Sequence, residues 1–185
     1  MTKVFIAGSI KIKKLDEKLL VRINNIVEEK LDVVVGDANG ADSSIQMELD
    51  KRGAQNVTVY CTGKTPRNNI GNWPIKTVHS AANPGTRAFF TAKDKEMAND
   101  ADYGLMVWDA ASTGTLSNAF EMAKAGKKCV VFVNKIKEFV TVSEPEDMRR
   151  LISFMTSGAI KQAEKKIGLQ KILSETLHTQ FSLSI

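Results

Sequence analysis

At 185 residues, 43% hydrophobic and 25% charged, the chain has room for one domain with a real core and the composition of an ordinary globular protein. No apolar run approaches the roughly 20 residues of a bilayer span, and the opening MTKVFIAGSI passes straight into a strand-like run, unlike a secretory leader. Neither a membrane-spanning nor a secreted protein is therefore expected, and a cytoplasmic location is. The net charge of +5 is spread along the chain, which suits a phosphate-bearing ligand but forms no aromatic-interleaved basic strip for nucleic acid.

In chain order, KVFIA (3–7) reads as a short buried strand ending at Gly8 and Ser9. Apolar residues at helical spacing follow from Leu15 to Lys30: Leu19, Leu20, Ile23, Ile26 and Val27. LDVVVG is a second strand, ending at Gly36; a helix with Ile45, Met47 and Leu49 runs from about Ala41 to Arg52, and NVTVYC (56–61) is a third strand. Residues 62–85 hold three of the four prolines and read as a long irregular segment, of the kind that is functional when it lies inside a compact domain. A helix runs through AFFTAKDKEMAND, YGLMVW (103–108) is a fourth strand, and Gly114-Thr115 opens a helix through LSNAFEMAKAG with Gly126 as its C-terminal stop. KKCVVFV is a fifth strand. After Val140, Ser143 and Glu146 form a candidate capping box, and two helices are expected, to about Ser157 and from about Ala159 to Leu177.

Strands alternating with helices predict an α/β, Rossmann-like three-layer domain with a mostly parallel five-stranded sheet in the order 3-2-1-4-5, plus C-terminal helices. The expected division is a nucleotide-binding domain over 1–140 and a helical appendage over 141–185, packed on the domain or on a partner subunit. The apolar content of that tail exceeds what five strands need, so a homo-oligomer is expected. Cys61 and Cys129 lie in apolar runs and read as reduced, buried thiols, and no Cys/His spacing suggests a metal. Neither a metal nor a cofactor is expected.

Three loops would converge at the carboxyl ends of the strands: Gly8-Ser9; Gly36-Asp37-Ala38-Asn39-Gly40-Ala41-Asp42; and Ser112-Thr113-Gly114-Thr115. Glycines there let backbone approach a ligand, and each loop leads to a helix N-terminus, where free N–H groups favour an anion. Arg67, Asn68 and Asn69 make a donor-rich patch suited to a phosphate or a base edge, and Arg87, Lys93 and Asp94 flank the same cleft. Trp73 either stacks a base or anchors its loop; Trp108, beside Asp109, is placed to wall the pocket; His79 and His178 receive no role. A Walker loop and a GxGxxG fingerprint after the first strand are both lacking.

GSI after the first strand, GDANGAD, KDKEMANDAD and GTLSNAFEMAKAGKK together resemble the SLOG superfamily, which takes in the DNA-processing A proteins and the LOG phosphoribohydrolases. The resemblance covers about residues 3–135. It implies a Rossmann-like fold and a nucleotide-type ligand, with Gly36, Asp37, Gly40 and Asp42 in the second loop and Gly114 and Thr115 in a phosphate-cradling turn. LOG hydrolases carry a glutamate three residues after that threonine, where this chain has Asn118; Glu121, one turn later, is the remaining candidate for a catalytic carboxylate. The leading expectation is a sensor or carrier of a nucleotide or nucleotide-derived ligand. The alternatives are an N-glycosidic hydrolase or (deoxy)ribosyltransferase acting on nucleosides or nucleotides, and, less favoured, a nucleic-acid-binding module.

Overall fold

The computed structural model of the chain describes residues 1–143 and 145–174. The first strand, β1 (Lys3–Gly8), leads into α1 (Glu17–Glu28), whose first turn is capped by the Asp16 side chain accepting from the Lys18 backbone N–H at 3.0 Å. Then come β2 (Asp32–Gly36), α2 (Ala41–Lys51) and β3 (Val57–Thr62). Next are β4 (Ile75–Val78), α3 (Arg87–Asp100) and β5 (Tyr103–Trp108). The chain continues through α4 (Thr113–Lys124), β6 (Cys129–Val133), β7 (Glu138–Val142), α5 (Pro145–Ser153) and α6 (Ser157–Ile167). Gly126 stops α4 as expected: its φ is +67°, and the next N–H, of Lys127, donates back to the Met122 carbonyl at 2.9 Å.

The strands form one sheet in the order β4-β3-β2-β1-β5-β6-β7. Its five inner strands stand in the expected 3-2-1-4-5 order, all parallel. The count of five is corrected to seven. β4 pairs parallel with β3 along one edge, inside the segment read as irregular, and β7 pairs antiparallel with β6 along the other. Both additions are edge strands, paired on one side only, so neither needs the unbroken apolar run that betrays an inner parallel strand.

Alternation along the strands sorts the core into two layers. Val4, Ile6, Val33, Val35, Val59, Leu105 and Val107 face Leu19 and Ile23 of α1 and Ile45 and Leu49 of α2. Phe5, Val34, Tyr60, Met106 and Trp108 face Met97 of α3 and Leu116 and Phe120 of α4. Met148, Leu151, Met155, Ala163 and Leu169 of the tail join that second layer. The apolar tail residues are thus used within the chain. Of the capping box, the Glu146 side chain lies outside the described residues, while the Ser143 backbone N–H donates to Asp147 Oδ2 at 3.2 Å. The second tail helix is broken where it was expected to run on: α6 stops at Gly168, left-handed at φ +60°, helical residues resume over 169–174, and residues beyond 174, His178 among them, lie outside the described region. Among the described residues, no helix is long and apolar enough to cross a membrane.

Candidate functional site

β1 delivers the chain to the α1/α2 face and β5 to the opposite face, so their carboxyl ends diverge and leave a crevice between them, the usual ligand position in such sheets. A cleft of about 440 Å³ lies there. Its floor is built by close approach. A Cβ on Gly8 would come within 2.6 Å of the Ala41 Cβ and 2.8 Å of the Val107 carbonyl, so only glycine lets β1 pass this near to α2 and β5. Ser9, fully buried behind it, ties the two loops together. Its Oγ donates to Asp109 Oδ1 (3.1 Å), accepts from the Asp109 backbone N–H (3.1 Å), and lies 3.2 Å from Thr115 Oγ1. Asp109 Oδ1 also accepts from the backbone N–H groups of Ala111 (3.0 Å) and Ser112 (2.6 Å), which shapes the turn into α4.

The loop after β2 supplies a buried charge cluster. Asp37 takes Arg67 in a fork, Nη2 to Oδ1 at 2.7 Å and Nε to Oδ2 at 3.0 Å, and Oδ2 also accepts the Arg67 backbone N–H at 3.0 Å. Burial works to raise the Asp37 carboxyl, but these bonds, with Lys93, outweigh it and hold it below the usual range. Lys93 is buried; its Nζ lies 2.7 Å from Asp94 Oδ1 and 3.9 Å from Asp37 Oδ1. Desolvation would lower its ammonium, yet Asp94 and Asp42 prevail and its pKa stands raised. Asp42, in the first turn of α2, accepts the Gly8 N–H at 3.2 Å; burial pushes its carboxyl up to about 6 although Lys93 pulls the other way. A Cβ on Gly36 would sit 2.5 Å from Asp42 Oδ2 and 2.6 Å from Lys93 Nζ, so the cluster closes over that glycine. Gly40, at φ +82°, precedes α2 where any Cβ would meet the Ile10 carbonyl at 2.0 Å.

Of the residues anticipated from sequence, Gly8, Asp42, Arg67, Arg87, Lys93, Asp94, Thr113, Gly114, Thr115 and Asn118 line the cleft. Arg87 Nη1 donates to Thr113 Oγ1 at 2.7 Å, joining α3 to the α4 turn. Ser9, Gly36, Asp37, Asn39, Gly40 and Asn68 are not lining residues. Asn68 Nδ2 braces the second loop through the Asp37 carbonyl (2.8 Å) and Asn39 Oδ1 (3.0 Å). Glu121 is not among the residues that line the cleft. Trp73 anchors its loop, buried with Nε1 donating to the Ala54 carbonyl at 2.9 Å, and Asn69 brackets its backbone at both ends. Trp108 is fully buried and holds the Ser112 carbonyl at 2.9 Å, behind the pocket wall.

Sequence reasoning missed Lys11, Phe90, Gln162 and Lys166 as lining residues and named Asp109 only as a neighbour of Trp108. It also missed Gln46, whose buried amide donates to the Gly36 carbonyl (2.9 Å) and the Asn68 carbonyl (3.3 Å) and accepts the Ile70 N–H (2.9 Å). The position of Asp109 directly after a strand was an available signal; nothing local marks a helical glutamine as a loop clasp.

No protein-family model and no curated protein matches the sequence. Solved structures do. DNA-processing protein A from Helicobacter pylori superposes with a TM-score of 0.52 at 18% identity, over 70% of this chain and 64% of that one. The Streptococcus pneumoniae protein superposes with a TM-score of 0.54 at 17% identity, over 82% of this chain and 56% of that one. The chain has the fold of the DNA-processing A proteins. That is the Rossmann-like fold the SLOG resemblance implies, and the chain spans less than two thirds of the length of either of these proteins. Of the two, the Helicobacter pylori protein is described by its single-stranded DNA binding mode.

Proposed function

We propose that the cleft binds a nucleotide through its phosphate, as a sensor or carrier domain. The observation that carries this is the meeting of Arg87 with the Thr113–Thr115 turn at the start of α4, beside a cleft whose volume suits a small molecule. Thr113, Gly114 and Thr115 sit in the first turn of a 12-residue helix, where backbone N–H groups lack helical acceptors and attract an anion. An N-glycosidic reaction draws no support from α4, since Asn118 lines the cleft and Glu121 does not.

The test is a thermal-shift panel of nucleosides and nucleotides. A ligand at a hundredfold excess over its Kd adds about 2.7 kcal/mol, which moves the midpoint of a domain this size by about 5–10 °C. No shift with any nucleotide at millimolar concentration would remove this reading.

One observation favours a second reading, a nucleic-acid module: a structural neighbour that binds single-stranded DNA. On that reading the cleft cations contact consecutive backbone phosphates. A labelled oligothymidylate would then bind with an affinity that falls with salt by a log–log slope of about −0.7 per phosphate neutralised. Anisotropy that does not change with added protein would dismiss it.

A further inference from the structure

Arg67 is held at the cleft in a way its exposure alone would not require. Both arms of its fork and its own backbone N–H go to the buried Asp37. Its guanidinium carbon lies over the Phe90 ring, 4.7 Å from the centroid, and Phe90 meets Phe89 edge-on, with centroids 5.3 Å apart and 83° between the planes. An ion pair thus fixes one edge of the guanidinium and an aromatic ring covers one side. The fork uses two of the five N–H groups of a guanidinium, and the other three have no partner among the described residues. Arg67 and Phe90 both line the cleft, and the Arg67 side chain keeps 39% of its surface exposed. What the pair leaves open is a planar cationic ledge, the far side of the guanidinium and its Nη1 edge.

A phosphate is a poor match for that ledge, because Asp37 already neutralises the charge and fills the fork that would take a phosphate in two bonds. The open side is suited instead to a flat π-system, which guanidinium groups stack upon, and every nucleobase has such a face. The ledge also stands in the right place. Arg87 and Phe90 are three residues apart on α3 and both line the cleft, so their Cβ atoms are about 5–6 Å apart on one helix face. Arg87 reaches from there to the Thr113 hydroxyl at the start of α4, and Arg67 reaches Phe90 from the loop after β3. α3 therefore sets an anion anchor and a stacking ledge side by side, at a separation that one ribose spans.

We infer that the Arg67–Phe90 pair is the nucleobase subsite of the cleft: the base of a mononucleotide lies on the open side of the guanidinium while its 5′-phosphate sits at Arg87 and the Thr113–Thr115 turn. This rests on the phosphate-binding reading above and adds the recognition of the base. Stacking accepts every base, so the ledge selects nucleotides against sugar phosphates rather than one base against another.

The experiment is calorimetric titration of the whole chain with the 5′-monophosphates of adenosine, guanosine, cytidine and uridine, with the four nucleosides, with ribose 5-phosphate and with an oligothymidylate. Phe90→Leu and Arg67→Lys are measured alongside. The first keeps an apolar side chain without a ring; the second keeps a cation beside Asp37 without a planar face. The best-bound monophosphate should bind at least about tenfold more tightly than ribose 5-phosphate, and each variant should remove most of that ratio while leaving ribose 5-phosphate affinity unchanged. Ribose 5-phosphate that binds as tightly as the nucleotides overturns the inference and leaves phosphate binding standing. So does a ratio that survives both substitutions, or an Arg67→Lys protein that loses ribose 5-phosphate and nucleotides alike, which would make Arg67 a phosphate contact. Nucleosides that bind as tightly as their monophosphates, and are lost with Phe90→Leu, uphold the base subsite and overturn the phosphate reading. Binding of the oligothymidylate alone, or of nothing, overturns both.

Discussion

Replacing Asp42 with asparagine should make the chain relatively more stable as pH rises, the reverse of what losing a paired carboxylate does. Asp42 is buried among Lys93, Asp94 and the Gly8 N–H, and its carboxyl is pushed from 3.8 to about 6 by burial. A carboxyl raised in the folded state favours its protonated form there. Its contribution is therefore fully present below about pH 4 and is lost as pH climbs through about 6. Two units at about 1.4 kcal/mol each amount to ~3 kcal/mol over that window. The asparagine side chain keeps an oxygen to accept the Gly8 N–H and cannot ionise. Stability should be taken from urea unfolding of both proteins at intervals between pH 4 and pH 8, and the difference plotted. Taking the difference cancels carboxylates that behave oppositely, such as Asp37 and Asp100, whose pKa values are lowered and whose contributions are lost on acidification. The variant should gain about 2.5 kcal/mol on the parent between pH 4 and pH 7, nearly all of it by pH 6.5. A flat difference curve would mean that Asp42 ionises normally and that Lys93 compensates its burial in full.

Three further outcomes follow from the same site. Lys93→Met leaves Asp37, Asp42 and Asp94 without their shared buried cation and should cost about 3–5 kcal/mol in urea unfolding at pH 7, with a smaller loss at pH 5, where Asp42 takes a proton. Gly40→Ala places a Cβ at 2.0 Å from the Ile10 carbonyl at a φ of +82°, so a loss of at least about 3 kcal/mol, read from the thermal midpoint, is expected. Glu121→Gln should leave nucleotide affinity unchanged in calorimetry, and a weakened variant would return that residue to the site.

The inner fold was legible because each inner strand is a short apolar or β-branched run, VFIA, VVV, VTVY, LMVW or VVFV, and the helices between them show apolar residues at helical spacing or, at Gly126, a clear stop. β4 was hidden because IKTV alternates polar and apolar residues among prolines and asparagines and pairs on one side only. β7 was hidden because EFVTV straddles the point where the composition turns helical. At the site, glycine and acid positions after strands could be read locally: Gly8, Gly36, Gly40, Asp37 and Asp42. Gln162 and Lys166 could not, since their place depends on α6 docking against elements far away in sequence. Glu121 stands one turn after Asn118 in the chain, but α4 turns Thr115 and Asn118 to the cleft and leaves Glu121 out of its lining.

The contribution of α6 sets an order of events during synthesis. A nascent chain that has emerged as far as β7 already holds all seven strands, the Gly8 floor and the Asp37–Arg67 clasp. It still lacks one wall, and Leu116 and Phe120 of α4 have yet to be joined in their layer by Met148, Leu151 and Ala163. On the nucleotide reading proposed above, a ligand that needs the Gln162–Lys166 wall holds the native state only once α6 has docked, so the stretch before that moment is the one it would not rescue. Substitutions at the α4–α6 contact should therefore lower the yield of folded protein even in cells rich in nucleotide, whereas substitutions on the β1 side of the cleft should be partly masked by it.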